Sequence, residues 1–255
     1  MSKALEKQAA ELTQGHAEEQ ATNDYDFNFL KIEHTAVVRN KKVILEEAGY
    51  STKVDGNTVF FENFTAVIVR KQVRYVHKGA KGKALVRSTF ENGYTSAEGF
   101  QDTAGGYQCS KKELTEDEKA TLKENKEKIS SEVWVWMNVT TVGTDENGNE
   151  VELKDHRVQF SREGSTGFEL NDYLSKNVKK DNTYFNNVVY FGNPEQLPDS
   201  QWFKAVYAVG DAAELTQSVI DTLKLANDTI DATNTAIIKK FHEVKDAGDI
   251  NADLE

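Results

Sequence analysis

The chain is 255 residues long, carries a formal net charge of −11 and holds one cysteine, Cys109. That length buries a full core without covalent staples, and a single cysteine excludes both a disulfide framework and a thiolate zinc cluster. The opening MSKALEKQAAELTQGHAEEQ is charged throughout, without the apolar run of a signal peptide, and no stretch reaches the apolar length of a membrane span, so a reducing, cytoplasmic setting without membrane insertion is expected.

Residues 1–26 form a predicted arm, flexible or helical, rich in Ala, Glu, Gln and Lys with Leu5, Ala9 and Leu12 at helical spacing. From Phe27 to about 210 the pattern turns β-rich. Short runs of β-branched and aromatic residues (29–32, 58–61, 65–69) read as strands. Asp55-Gly56 marks a hairpin, because both central positions of a type I′ turn need positive φ. Residues 111–128 read as a short exposed helix, with Thr115 and Glu118 spaced as a capping box. Over 132–142 both faces of the predicted strand are apolar or aromatic, which makes it central or part of a binding surface. A second hairpin is expected at 145–149, further strands over 158–160, 184–191 and 202–209, and a short helix over 167–174. From 211 to 245 helical period takes over. Leu215, Val219, Leu223, Ala226, Ile230, Thr233, Ile237, Phe241 and Val244 follow at steps of three or four, a seam on a helix roughly 50 Å long. That seam fits a homo-oligomer; the plain alternative is that it lies across the β body. Residues 246–255 form an acidic tail. The class is mainly β with helical extensions, and an open α+β sheet fits the pattern as well as a barrel does.

No phosphate-binding loop, dinucleotide fingerprint, metalloprotease helix or nucleophile elbow is present, and the five histidines lack metal-ligand spacing. The expectation is a binding protein, not an enzyme, with no cofactor and no metal. Net acidity argues against nucleic acid until its distribution is examined. Between Val59 and Phe90 the cations Arg70, Lys71, Arg74, Lys78, Lys81, Lys83 and Arg87 face a single acid, Glu62, a local net of +6. Alternation along 69–78 puts Arg70, Arg74 and Lys78 on one strand face, and Lys83, Arg87 and Phe90 join them if the next strand pairs with it. Single strands are held by a basic track along phosphates and by rings on which bases stack. Tyr75, Phe90 and Trp136 are candidate rings, with Tyr94, Phe100 and Tyr107 behind them; core packing is the plain alternative for each ring taken alone.

Four features carry a family resemblance: V-R-K-Q-V-R-Y at 69–75, S-T-F near 88 followed by D-T-A-G-G-Y-Q-C at 102–109, W-V-W-M-N-V at 134–139, and the acidic C-terminus. In these the sequence resembles the phage single-stranded DNA-binding proteins built on an OB-fold. The resemblance implies an OB-like β-barrel, sequence-tolerant binding of single-stranded DNA in phage replication, recombination or transcription, and a host-cytoplasmic location. It also implies that the acidic tail recruits replication or transcription proteins. The tail ends without an apolar anchor, and an OB-fold does not require the long helix. A competing expectation is a phage structural or assembly protein that oligomerises through that helix.

Overall fold

The computed structural model describes residues 27–94, 100–105, 114–181 and 183–252, with side chains as far as Asp246. The predicted arm over 1–26, Tyr107, Cys109 and the end of the acidic tail lie outside the described residues. Twelve strands are named in chain order: β1 (Asn28–Phe29), β2 (Lys31–Glu33), β3 (Val37–Arg39), β4 (Lys42–Leu45), β5 (Gly49–Val54), β6 (Asn57–Phe61), β7 (Phe64–Lys78), β8 (Ala84–Arg87), β9 (Lys128–Asp145), β10 (Glu150–Glu163), β11 (Asn187–Gln196) and β12 (Phe203–Ala212). The helices are α1 (Glu116–Glu124), α2 (Gly164–Tyr173), which runs into a π turn at Leu174–Val178, and α3 (Gln217–Ala252). Strand outweighs helix, 48% to 26%, so the protein is mainly β with a long C-terminal helix, as the sequence predicts.

The chain divides into two compact units. The first gathers residues up to Lys71, Val135–Ser161 and Leu170–Asn227. The main sheet path runs β12-β11-β7-β9-β6-β5-β2. Its order is barrel-like, but the path ends at β12 and β2 and no closed barrel is found among the described residues. Segment 28–33 changes partner across Leu30: β1 pairs in parallel with β10, whereas β2 pairs antiparallel with β5. Asp55 and Gly56 take φ of 48° and 84°, the two left-handed positions that the predicted hairpin between β5 and β6 requires. Glycine adopts that region without the clash a Cβ would meet. An aromatic cluster fills the core of this unit. Phe64 stacks on Phe191 at 4.5 Å and meets Tyr50 edge-on at 4.9 Å, and the Tyr50 hydroxyl donates to the Gly192 carbonyl. Such offset and edge-on ring pairs add to the area they bury.

Two predicted elements have different limits. The strand around 65–69 and the basic stretch that follows it form one 15-residue strand, β7. The C-terminal helix begins later than 211, because β12 continues to Ala212 and Thr216 accepts from the Val219 amide as an N-cap. Most of its predicted seam is buried within the chain: Leu215, Val219, Leu223 and Ala226 in the first unit, Ile230, Ile237 and Phe241 in the second, with Thr233 and Val244 half-buried. A seam consumed in this way is not available to a partner helix in this conformation. The structure also has a hairpin that no periodicity announced, β3–β4, whose Val37 and Leu45 pack on Phe60.

Candidate nucleic-acid interface

The second unit comprises Gln72–Trp134, Arg162–Glu169 and the chain from Asp228 onward. Its core holds Tyr75, Phe100 and Ile129, with Val86, Tyr94, Leu114 and Leu122 packed around them. β7 turns back into β8 with Val76 opposite Arg87 and His77 opposite Val86. The connection is a tight turn in which the Gly82 amide donates to the Gly79 carbonyl at 2.8 Å and Gly82 takes φ of 74°. This is the left-handed residue that closes a short hairpin loop with a bulge. This register puts Val76, and with it Arg74 two residues earlier, on the same face as Arg87, whereas Lys78 follows a break in the pairing.

That face is not the open cationic groove the alternation suggests. Arg74 Nε donates to Glu132 Oε2 at 2.9 Å, and the guanidinium lies 4.8 Å from the Phe90 ring and 4.5 Å from Trp134. Trp134 Nε1 donates to the same Glu132 oxygen. Lys78 lies between Glu132 and Glu163, and Lys128 pairs with Glu163 at 2.7 Å. Phe90 is buried, its backbone amide and carbonyl both held by the Asn234 side chain on α3. The acids that neutralise the basic strand come from β9 and β10, far along the sequence, and an alternation pattern does not register them.

The remaining predicted residues divide by burial. Trp136 is 1% exposed and belongs to the core of the first unit, and Tyr75 is buried against Phe100 at 4.8 Å. Neither ring offers a face to a base in this conformation, nor does Phe90. Lys71 is buried too: its ammonium donates to the Asn171 side chain and sits 6.0 Å from the centre of the Tyr184 ring. Burial, with Lys179 nearby, pushes it down to about 8. Arg70 is half-buried beside the Tyr184 phenol. Lys81, Lys83 and Arg87 are exposed, and none of the three makes an ion pair among the described residues. They lie on the turn and outward face of β8, flanking Leu85, which is 52% exposed. Val86, pointing the other way, anchors that strand to the Tyr75 cluster. One ring of this unit escaped the sequence reading: Phe168 on α2, 49% exposed, lies tilted against Tyr94 at 4.4 Å. A single phenylalanine in a short polar helix carries no periodic signal.

Glu163 sets an acid limit on this network. Burial opposes its ionisation, but hydrogen bonds from Lys128 and Lys78 outweigh that and hold the carboxyl down to about 2, against an ordinary 4.5. A carboxyl whose folded pKa is depressed contributes stability above its unfolded pKa and loses it as pH falls through the folded one. Stability carried by this group is therefore present above pH about 4.5 and lost on the way down to pH about 2. Glu163→Gln should flatten the acid limb of the melting temperature over that window, read by thermal melts at stepped pH.

Among the described residues no three His, Cys, Asp or Glu side chains gather into a metal-holding group, and no helix is long and apolar enough to cross a membrane. A groove of about 250 Å³ in the first unit is lined by Ile44, Phe60, Phe61, Thr141, Val142 and Gly143, among others. The carboxylate residues Glu62 and Glu150 are also among its lining residues. No protein-family model, curated protein or solved structure matches the chain.

Proposed function

We propose that the protein binds single-stranded DNA without strong sequence preference, as a phage-type protein of replication, recombination or transcription, and that the β7–β8 hairpin is its primary phosphate contact. The observation that carries this reading is the set of three exposed cations, Lys81, Lys83 and Arg87, that lack an acidic partner among the described residues of a chain with net charge −11. Cations left unpaired on an otherwise anionic body recruit a polyanion while the remainder suppresses non-specific adhesion. Leu85 between them and the exposed Phe168 ring supply apolar surface to sugars and bases in the same unit. The acidic stretch from Asp246 is the proposed contact for replication or transcription proteins. An assembly role through α3 has less support, because the helix seam lies in the chain's own core.

Anisotropy of a labelled oligo-dT, titrated with the protein at low and moderate salt and compared with duplex, tests the reading. Three phosphate contacts at a slope of about 0.7 each weaken binding roughly 20-fold between about 50 and 200 mM salt. No binding at the lowest salt would remove the nucleic-acid reading altogether.

A further inference from the structure

We infer that the β3–β4 hairpin of the first unit is a second phosphate-binding element for the same polynucleotide. The inference rests on the reading of the chain as a single-strand binder. The hairpin turns on two residues, Asn40 and Lys41, with φ of 51° and 65°. Two consecutive left-handed residues in a two-residue loop make a type I′ turn, whose second position favours glycine because a side chain there is strained. The β5–β6 turn of this unit follows that preference with Gly56. Lys41 breaks it. The flanking residues Arg39 and Lys42 lie directly opposite each other, and like charges facing across a pair of strands repel. Three exposed cations thus occupy four residues of a tight turn, at a cost in backbone strain and in repulsion.

Lys42 is tied to the β9–β10 turn, but no contact among the described residues gives Arg39 or Lys41 a comparable role in the fold. Arg39 donates only to the neighbouring Val38 carbonyl at 3.2 Å, Lys42 reaches the Asn147 carbonyl at 3.2 Å, and none of the three makes an ion pair among the described residues. Residues 37–45 contain no acid; Glu46 and Glu47 follow only after the buried Leu45. In the β9–β10 turn that Lys42 reaches, the Asp145 carboxylate is held in its own hydrogen bonds to Asn147 and Asn149, and Glu146 forms no ion pair with the hairpin among the described residues. On the outward face Val38 and Val43 oppose each other at 51% and 60% exposed, while Val37 and Leu45 fix the stem to Phe60. A rigid stem, a cluster of donors at its tip and an aliphatic flank suit a phosphodiester chain with its sugars. Local rules broken without a structural gain mark functional positions.

Lys41→Gly separates charge from fold. The variant should raise the melting temperature by a few degrees, since it relieves the left-handed strain, yet lower the slope of log affinity for oligo-dT against log salt by about 0.7. Arg39→Ala, Lys41→Gly and Lys42→Ala together should lower the slope by about 2. A more stable Lys41→Gly protein with the native slope would overturn the inference, and so would a less stable one, because Lys41 would then serve the fold. If the native protein shows no salt-dependent binding, the reading beneath the inference fails. If the native protein binds and only the variants of Lys81, Lys83 and Arg87 lose slope, this inference alone fails.

Discussion

Changing Lys81, Lys83 and Arg87 together to glutamate is expected to eliminate oligo-dT binding at low salt while the melting temperature stays within about 2 °C of the native value. The fold should not register the change, because all three side chains project into solvent without ion pairs among the described residues, and surface substitutions of that kind usually stay within about 0.5 kcal/mol. Binding should register it twice. The variant forfeits the counterion release of three phosphate contacts, and it sets three carboxylates against the same polyanion. Alanine in place of glutamate removes the first effect without adding the second. The alanine variant should therefore retain weak binding with a salt slope smaller by about 2. Anisotropy titrations over a salt series give both numbers. Undiminished binding by the glutamate variant would move the interface away from the β7–β8 hairpin.

Local chemistry explains what the sequence disclosed. Asp55-Gly56 specifies its hairpin because both residues tolerate the conformation the turn demands. Thr115 and Glu118 cap α1 reciprocally, an arrangement four residues long and complete in itself. β9 was legible as a central strand because Val135, Trp136, Met137, Asn138 and Val139 leave neither face polar enough for water, and all five are buried. The α3 seam was legible as period, though not as partner: a stripe at steps of three and four fits a neighbouring helix and a chain's own core equally well.

What stayed hidden depended on residues distant in sequence. The alternation Arg70, Arg74, Lys78 described a face correctly, but whether that face meets solvent was decided by Glu132 and Glu163, 58 and 85 positions away from the cations they hold. Rings have the same ambiguity. Trp136, Tyr75 and Phe90 carry the side chains a stacking platform uses, and only their neighbours in space assign them to the core. The β3–β4 hairpin was missed for the opposite reason. Its turn lacks the glycine that announces such turns, so the residue that conceals it, Lys41, is the one whose presence most needs an explanation.

Glu132→Ala should destabilise the protein by about 3–5 kcal/mol, the usual consequence of removing one partner of a buried charge pair. For a chain of this length that corresponds to roughly 6–20 °C in melting temperature. Glu132 carries three attachments: Arg74 at 2.9 Å, Trp134 Nε1 at 3.0 Å and Lys78 at 3.4 Å. Burial opposes its ionisation, yet Arg74, the Trp134 hydrogen bond and Lys78 together keep its carboxyl below the ordinary range. Without it, Lys78 retains Glu163, but Arg74 stays clamped between Phe90 and Trp134 with its principal anion gone. Glu132→Gln preserves an acceptor for the indole and should cost less than alanine. The double variant Arg74→Met/Glu132→Leu removes both charges and keeps volume between the rings, so it should recover most of the loss, as apolar replacements of buried pairs commonly do. That double variant also assigns Arg74. If it folds and binds oligo-dT with the native salt slope, the arginine serves the fold and the phosphate contacts lie on the hairpin. If it folds and its slope falls by about 0.7, Arg74 leaves its carboxylate for the DNA, and the ion pair is the closed state of a groove that opens on binding.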